Sequence, residues 1–124
     1  MTTSSAAGDN AGGVFAAIDS KDTEAFVGYL TDDAAFRFGS APTVRGRDAI
    51  RAAVDGFFGT IKACSHQVTN TLADGSTVVC EGEVTYRRLD DTEITLPFTD
   101  VFEYDNDLIS HYKIYIDISP LYAD

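Results

Sequence analysis

The chain has 124 residues, a length typical of a single domain. Its 20 acidic and 9 basic residues give a formal net charge of −11 at pH 7. Because binding to nucleic acid or to an anionic membrane needs clustered Lys and Arg, this balance argues against both kinds of partner. With 44% hydrophobic and 23% charged residues, the composition is that of a globular protein rather than a disordered one.

Residues 1–10 are small and polar, and we predict a disordered tail there, followed by one domain over residues 11–124. No apolar run is long enough to span a bilayer, and no basic start followed by an apolar stretch marks a secretory signal. The two cysteines, Cys64 and Cys80, lack the spacing of a metal site. We therefore expect a cytoplasmic protein with reduced thiols and no bound metal.

Three helices are predicted in the first half of the chain. A polar break over residues 19–22 ends the first helix, and Ser20 or Asp22 within it can cap the second. A short strand that carries Phe36 and Phe38 and a loop over residues 39–46 then lead to the third helix. Apolar side chains spaced by three or four residues define these helices: Val14, Phe15 and Ile18 in the first, Phe26, Tyr29 and Leu30 in the second, and Ile50, Val54, Phe57 and Phe58 in the third.

Four strands joined by tight turns are predicted in the second half. The strands cover residues 63–73, 77–88, 93–104 and 108–118, and the clearest turn signal between them is Asp74-Gly75. Helices grouped early and antiparallel strands late indicate an α+β fold, in which a curved, mainly antiparallel sheet wraps over the three helices.

A single carboxyl group interrupts the most apolar stripe of the predicted sheet. Because side chains alternate along a strand, residues 93–104 divide into two stripes, and Asp100 is the only charged member of the apolar one. A carboxylate on the core face is poorly solvated, so its pKa should rise unless a partner pairs with it. A neutral acid can donate a hydrogen bond to a ligand oxygen, and an ionised one can accept a proton.

The same alternation places other polar side chains on the inner face. His66 and Asn70 share one stripe of their strand, Tyr112 lies on the inner stripe of the last strand, and Gly82 leaves space in mid-strand. We predict an apolar cavity there, with Asp100 and His66 as catalytic candidates. The strand order decides whether those two side chains touch as a proton-shuttling dyad. The ligand-binding candidates are Tyr112, Tyr29, Asn70, Phe38, Phe98, Ile114 and Ile116.

Four segments resemble the nuclear transport factor 2-like superfamily, within it the SnoaL-like and ketosteroid-isomerase-like branch. They read IDSKDTEAFVGYLTDDAAFRF, VRGRDAIRAAVDGFF, HQVTNTLADGSTVVCEGEV and LPFTDVFEYDNDLISHYKIYID. The resemblance implies a cone-shaped α+β barrel, a deep pocket for an apolar small molecule, and a homodimer formed through the outer face of the sheet. Because this scaffold carries many activities, the fold alone does not imply a reaction.

The resemblance supports the steroid isomerases only in part. Of their three catalytic positions, the acid falls at Asp100, but the base falls at Phe38 and the tyrosine at Val14 or Phe15. For SnoaL-type cyclases, the general base implied by the resemblance is also Asp100. A limonene-type epoxide hydrolase is disfavoured, because its charged triad falls on Gly82, Val84 and Ile114.

Two classes of function therefore stay open. One is an acid–base enzyme without a cofactor, an isomerase, dehydratase or cyclase acting on an apolar or polycyclic molecule, with Asp100 as acid or base and His66 or Tyr112 assisting. The other is a non-catalytic ligand-binding or dimerisation module, which the missing isomerase and hydrolase residues favour. No glycine-rich phosphate loop or dinucleotide fingerprint is present, so no cofactor is expected.

Overall fold

The computed structural model describes residues 6–123, which contain three α-helices and six strands. Among these residues, no helix is both long and apolar enough to cross a membrane. The helices are α1 (Ala6–Asp19), α2 (Thr23–Val27) and α3 (Arg47–Phe58); the strands are β1 (Leu30–Phe38), β2 (Val44–Arg45), β3 (Ala63–Asp74), β4 (Thr77–Arg87), β5 (Glu93–Asp105) and β6 (Leu108–Tyr115). A short 3₁₀ helix, Ser119–Tyr122, follows β6.

All six strands form one mixed sheet in the order β2-β1-β6-β5-β4-β3. Strands β3 to β6 pair antiparallel with their chain neighbours, whereas β1 lies parallel to β6. The first long strand therefore lies beside the last one, and the sheet curves over the helices. The predicted α+β fold with a curved, mainly antiparallel sheet is confirmed.

Local sequence signals account for several element boundaries. The side chain of Asp22 caps α2 by accepting a hydrogen bond from the backbone N–H of Ala25 at 3.1 Å. Gly75 and Asn106 adopt positive φ angles of 60° and 57° in the turns before β4 and β6. Gly and Asn adopt this left-handed conformation more readily than other residues, so the chain reverses at these predicted turns.

Alternation along the strands buries one stripe of each against the helices. In β5, Leu96, Phe98 and Phe102 are buried, whereas the intervening Pro97 is exposed. Val14 of α1 and Ile50 of α3 are fully buried in the same hydrophobic cluster. The core therefore lies between the inner face of the sheet and the three helices.

The second helix is shorter than predicted. It spans five residues and ends at Val27, whereas the predicted helix included Tyr29 and Leu30. Gly28 follows the helix, and Leu30 begins β1 by pairing with Ile109 of β6. The helical spacing of these apolar residues gives only a weak local preference for a helix. Pairing with the neighbouring strand outweighs that preference.

Three further boundaries differ from the predicted ones. β2 lies inside the predicted loop over residues 39–46, where Val44 pairs with Phe36 of β1. β6 ends at Tyr115 rather than at Ile118, because its pairing with β5 ends there. Helix α1 begins at Ala6, within the predicted tail. Residues 1–5 of that tail lie outside the described residues.

A β-bulge in β3 changes which way its side chains point. The pairing with β4 shifts between Val68, which lies opposite Gly82, and Asn70, which lies opposite Glu81. One extra residue moves every later side chain to the other face of the sheet. The β3 backbone approaches so closely that a Cβ atom on Gly82 would lie 2.0 Å from the carbonyl oxygen of Gln67. The expectation that Gly82 leaves open space is therefore wrong, because main chain fills it.

Replacing Gly82 with alanine should destabilise the fold, since the β3 main chain occupies the position of the added methyl group. Overpacking of this kind costs about 1–3 kcal/mol, so the free energy of unfolding in urea should fall by that amount. Gly56→Ala is the matched control, because none of the described residues outside its own helix turn lies within 4 Å of a Cβ there, and alanine favours helix α3 by about 1 kcal/mol. A Gly82→Ala protein as stable as wild type would contradict the close approach.

Candidate active site

An apolar cavity of about 200 Å³ lies between the inner face of the sheet and helix α3. Most of its wall is aromatic or aliphatic, and it includes the predicted residues Phe38, Phe98, Ile114 and Ile116. The described residues contribute no Lys or Arg to this wall. Its polar side chains are Asp100, Tyr112, His66, Tyr86 and Cys64.

Asp100 lies at the centre of the cavity-facing sheet. Strand pairing places it between Cys80 of β4 and Ile114 of β6, and only 1% of its surface is exposed. The hydroxyl of Tyr112 donates a hydrogen bond of 2.8 Å to Oδ2 of Asp100. The second oxygen, Oδ1, has no hydrogen-bond partner among the described residues. The fold thus fixes one carboxyl oxygen and leaves the other without a partner among the described residues.

Burial raises the pKa of Asp100 from 3.8 to about 7, and the hydrogen bond from Tyr112 offsets only part of that effect. Low-polarity surroundings disfavour the charged carboxylate more than the neutral acid. Near neutral pH, both protonation states of Asp100 are therefore populated. Burial also raises the pKa of Tyr112, so its hydroxyl keeps its proton and remains a donor.

His66 forms its closest polar contacts with Asp19 at the end of α1. Nδ1 of the imidazole lies 2.6 Å from Oδ1 of Asp19, and the backbone N–H of His66 donates to Oδ2 at 3.0 Å. The imidazole ring also packs between Phe15 and Phe98, with ring centroids 5.0 and 5.2 Å apart. These contacts fix the ring, and they occupy Nδ1 rather than Nε2.

The two catalytic candidates line one cavity, but each has a different partner. His66 pairs with Asp19, and Asp100 pairs with Tyr112. His66 and Asp100 therefore do not form a direct dyad. Asp19 was not among the predicted site residues. The available signal was an acid at a helix C-terminus, where the helix dipole disfavours negative charge.

Two predicted ligand-binding residues lie away from the cavity wall. Asn70 is exposed, and its side-chain amide donates to Oε1 of Glu81 at 3.2 Å, because the bulge turns this part of β3 outward. Tyr29 packs its hydroxyl against Gly13 of α1, where a Cβ atom would lie 2.2 Å from it. Neither side chain belongs to the wall of this cavity.

The two cysteines are buried and free. Burial raises the pKa of the Cys64 thiol to about 12, and it also raises that of Cys80. Both thiols therefore stay protonated at neutral pH and are poor nucleophiles. Cys64 belongs to a group with Asp19 and His66 whose ligand atoms all lie within 4.8 Å of one another, which could hold a metal ion.

The arrangement combines a proton acceptor and a proton donor across one apolar space. When the imidazole is uncharged and Nδ1–H donates to Asp19, Nε2 of His66 carries the lone pair of a general base. Protonated Asp100 can donate a hydrogen bond from its unpaired side to an oxygen that gains negative charge. The polar groups are thus suited to moving a proton at carbon beside a carbonyl.

Comparison with known proteins identifies the family of the chain. The sequence profile of the SnoaL-like domain matches residues 12–112. A search of curated proteins finds no match.

Solved structures share the fold at low sequence identity. An NTF2-like protein of unknown function from Burkholderia pseudomallei is 15% identical, with a TM-score of 0.87 over 95% of each chain. A protein classed as a SnoaL-like polyketide cyclase, from Shewanella denitrificans, is 15% identical, with a TM-score of 0.79 over 91% of each chain. An LEH-like epoxide hydrolase from M. tuberculosis is 18% identical, with a TM-score of 0.79 over 91% of this chain and 84% of that one. These likenesses show the fold alone.

The raised pKa of Asp100 predicts that stability depends on pH. Folding raises this pKa to about 7, whereas an unfolded aspartate has a pKa of about 3.9. The proton-linked stability is therefore complete below about pH 4 and is lost as pH rises through about 7. Asp100→Asn places an uncharged side chain of similar shape at this position at every pH. Its free energy of unfolding, relative to that of wild type, should therefore rise by up to about 4 kcal/mol between pH 4 and pH 8.

Urea unfolding of both proteins at these two pH values measures the difference. Asp33→Asn is the control, because Asp33 is exposed and its replacement should change stability equally at both pH values. An Asp100→Asn protein whose stability relative to wild type is the same at pH 4 and pH 8 would show that burial does not raise the pKa of Asp100.

Proposed function

The chain belongs to the SnoaL-like domain family, and on that premise we propose that it is an acid–base enzyme that needs no cofactor and acts on a small apolar molecule. One observation carries the proposal. A histidine oriented by a carboxylate and a buried acid with one unpaired oxygen line the same apolar cavity. Pockets with a few convergent polar groups and a perturbed pKa are the usual form of small-molecule active sites.

The proposed chemistry is proton transfer beside a carbonyl group. Nε2 of His66 removes a proton from the carbon next to the carbonyl, and Asp19 stabilises the imidazolium that forms. Protonated Asp100 donates a hydrogen bond to the carbonyl oxygen as it becomes an enolate. If the substrate carries a C=C bond that conjugates with the enolate, return of the proton from the imidazolium to the far carbon completes an isomerisation. Loss of a hydroxyl group from the β-carbon as water, which takes its proton from the imidazolium, completes a dehydration. Attack of the enolate on a second carbonyl, whose oxygen takes that proton, completes a ring closure.

The cavity restricts the substrate by size and charge. A cavity of about 150 Å³ holds a benzene ring, so the volume of about 200 Å³ suits a molecule of one or two rings. The described wall carries no Lys or Arg to pair with a carboxylate or phosphate. We therefore propose a neutral cyclic ketone or hydroxyketone as the substrate class.

A non-catalytic ligand-binding module is the second candidate. The observation in its favour is that the positions matching the isomerase base and the hydrolase triad are apolar or lack a side chain: Phe38, Gly82, Val84 and Ile114. In this alternative, Asp100 and Tyr112 only anchor an oxygen of the bound molecule. The two candidates differ in whether His66 moves a proton.

Hydrogen–deuterium exchange of a cyclic ketone separates the two candidates. In D₂O the wild-type protein should accelerate loss of the proton NMR signals next to the carbonyl of 2-tetralone. His66→Gln should slow this exchange by about 100-fold or more, because general-base catalysis contributes about that much. The rate should also fall as pH rises through about 7, because Asp100 loses the proton that it donates.

His111→Gln is the matched control, since His111 is exposed on β6 outside the cavity wall, and its exchange rate should equal that of wild type. Changes in the chemical shifts of the protein on addition of 2-tetralone would show that it binds. Binding without faster exchange would favour the binding module. Exchange that is equally fast in wild type and His66→Gln would exclude His66 as the base.

We also propose that two copies associate in the cytoplasm through the outer face of the sheet. Leu72, Val79 and Val101 form an apolar row there, and Leu72 and Tyr115 are 60% and 57% exposed. Exposed apolar side chains grouped on one face commonly mark an interface. The two free cysteines are consistent with a reducing compartment.

A serine at position 72 should weaken this association. Analytical ultracentrifugation of Leu72→Ser should show a dimer dissociation constant at least about tenfold higher than that of wild type, since an interface loses about 1.4 kcal/mol or more with a buried leucine. Leu89→Ser is the control, because Leu89 is 61% exposed outside the sheet. A wild-type protein that remains monomeric at high concentration would rule out the interface.

A further inference from the structure

Three side chains with different metal-binding atoms meet at the junction of α1 and β3. Cys64 and His66 are two residues apart on β3 and therefore point to the same face, and Asp19 reaches them from the end of α1. The thiol Sγ, the imidazole Nδ1 and a carboxylate oxygen all lie within 4.8 Å of one another. We call this group the Asp19–Cys64–His66 cluster.

We propose that the Asp19–Cys64–His66 cluster is a binding site for a divalent cation of the zinc type. A thiolate, an imidazole and a carboxylate are the ligands that Zn²⁺ and Co²⁺ accept, and the thiolate excludes Mg²⁺ and Ca²⁺. Three protein ligands also leave one coordination position open. The cysteine distinguishes this site from a simple Asp–His pair, which orients an imidazole without any need for a thiol.

The geometry needs only a small movement of one side chain. Ligand atoms about 2.1 Å from a tetrahedral ion lie about 3.4 Å apart, and the Zn–S bond is slightly longer. Sγ of Cys64 already lies 3.8 Å from Oδ1 of Asp19, whereas Nδ1 of His66 lies only 2.6 Å from it. The Asp19 side chain is 28% exposed, so it can move back and admit the ion, while β3 holds the other two ligands.

The proton balance of the binding step is defined. The thiol of Cys64 releases one proton to solvent and becomes a thiolate. The uncharged imidazole keeps its single proton but transfers it from Nδ1 to Nε2, because Nδ1 now gives its lone pair to the ion. No oxidation is involved, and binding of one ion should release one proton.

The tautomer change has a consequence that rests on the proposed function. Once Nε2 carries the proton, it can no longer accept one from a substrate in the cavity. The bound ion therefore removes the general base. Binding of the ion does not depend on that function, so the two can be tested separately.

Titration of the full chain with Co²⁺ tests the site directly. Wild-type protein should bind one ion and develop the near-ultraviolet absorption of a cobalt–thiolate bond, with one proton released per ion. Cys64→Ser should abolish that absorption, and His66→Gln should weaken binding by about tenfold or more, as loss of a ligand commonly does. Cys80→Ser and His111→Gln are the matched controls and should behave as wild type.

Circular dichroism checks that each variant is folded, and Mg²⁺ should not compete with Co²⁺. Absence of the thiolate absorption in folded wild-type protein would overturn the site, and so would its loss in Cys80→Ser rather than in Cys64→Ser. The pair of ligand variants keeps the test decisive if one of them fails to fold.

Exchange of 2-tetralone in the presence of Zn²⁺ tests the consequence. One equivalent should reduce the wild-type exchange rate to that of His66→Gln, and EDTA should restore it. Cobalt binding with an unchanged exchange rate would overturn the inhibition and leave the site in place. Cobalt binding by a protein that never accelerates exchange would overturn the proposed function alone.

Discussion

Burial of one carboxyl group at the centre of the sheet is the constraint on which the proposed chemistry of this protein depends. The pleat of β5 points Asp100 to the same face as Phe98 and Phe102, so the side chain cannot reach water without a change of register. Tyr112 satisfies one oxygen, and the other lacks a partner among the residues described. Burying this carboxyl group in its ionised form costs free energy. The raised pKa of Asp100 reflects that cost, because the buried carboxylate binds a proton more tightly than an exposed one does.

The periodicity of the strands predicts the buried position of Asp100 from the sequence alone. A repeat of two along residues 93–104 separates the apolar stripe from the polar one without knowledge of strand order, because the pleat is a local property. The same reasoning correctly brought His66 and Tyr112 toward the cavity. It failed for Asn70, which follows the bulge at Val68 and so points outward. β3 carries no Gly or Pro there, and the signal lies on the neighbouring strand, in Gly82.

Features that depend on tertiary packing could not be read in this way. The parallel pairing of β1 with β6 joins segments more than seventy residues apart, and nothing local in either strand specifies its neighbour. The partner of His66 could not be predicted for the same reason, since Asp19 lies 47 residues earlier in a segment that resembles an ordinary turn. Helix α1 brings it to β3 only because Val14 and Phe15 are buried against the sheet. The helix packing therefore sets the orientation of the imidazole.

The two carboxylates of the site illustrate how one residue type takes two roles through its surroundings. Asp100 is enclosed by apolar side chains, and its hydrogen-bond partner among the described residues is the hydroxyl of Tyr112. These surroundings favour its neutral form, which can donate a hydrogen bond. Asp19 is part-exposed, lies 2.6 Å from Nδ1 of the imidazole and accepts a hydrogen bond from the backbone N–H of His66, so it holds the ring in place. A fold shared with cyclases and hydrolases does not determine these roles. They follow from depth of burial and hydrogen-bond partners, so the Asp19–His66 pair and the Asp100–Tyr112 pair carry more information about the proposed reaction than the curved sheet and helices that hold them.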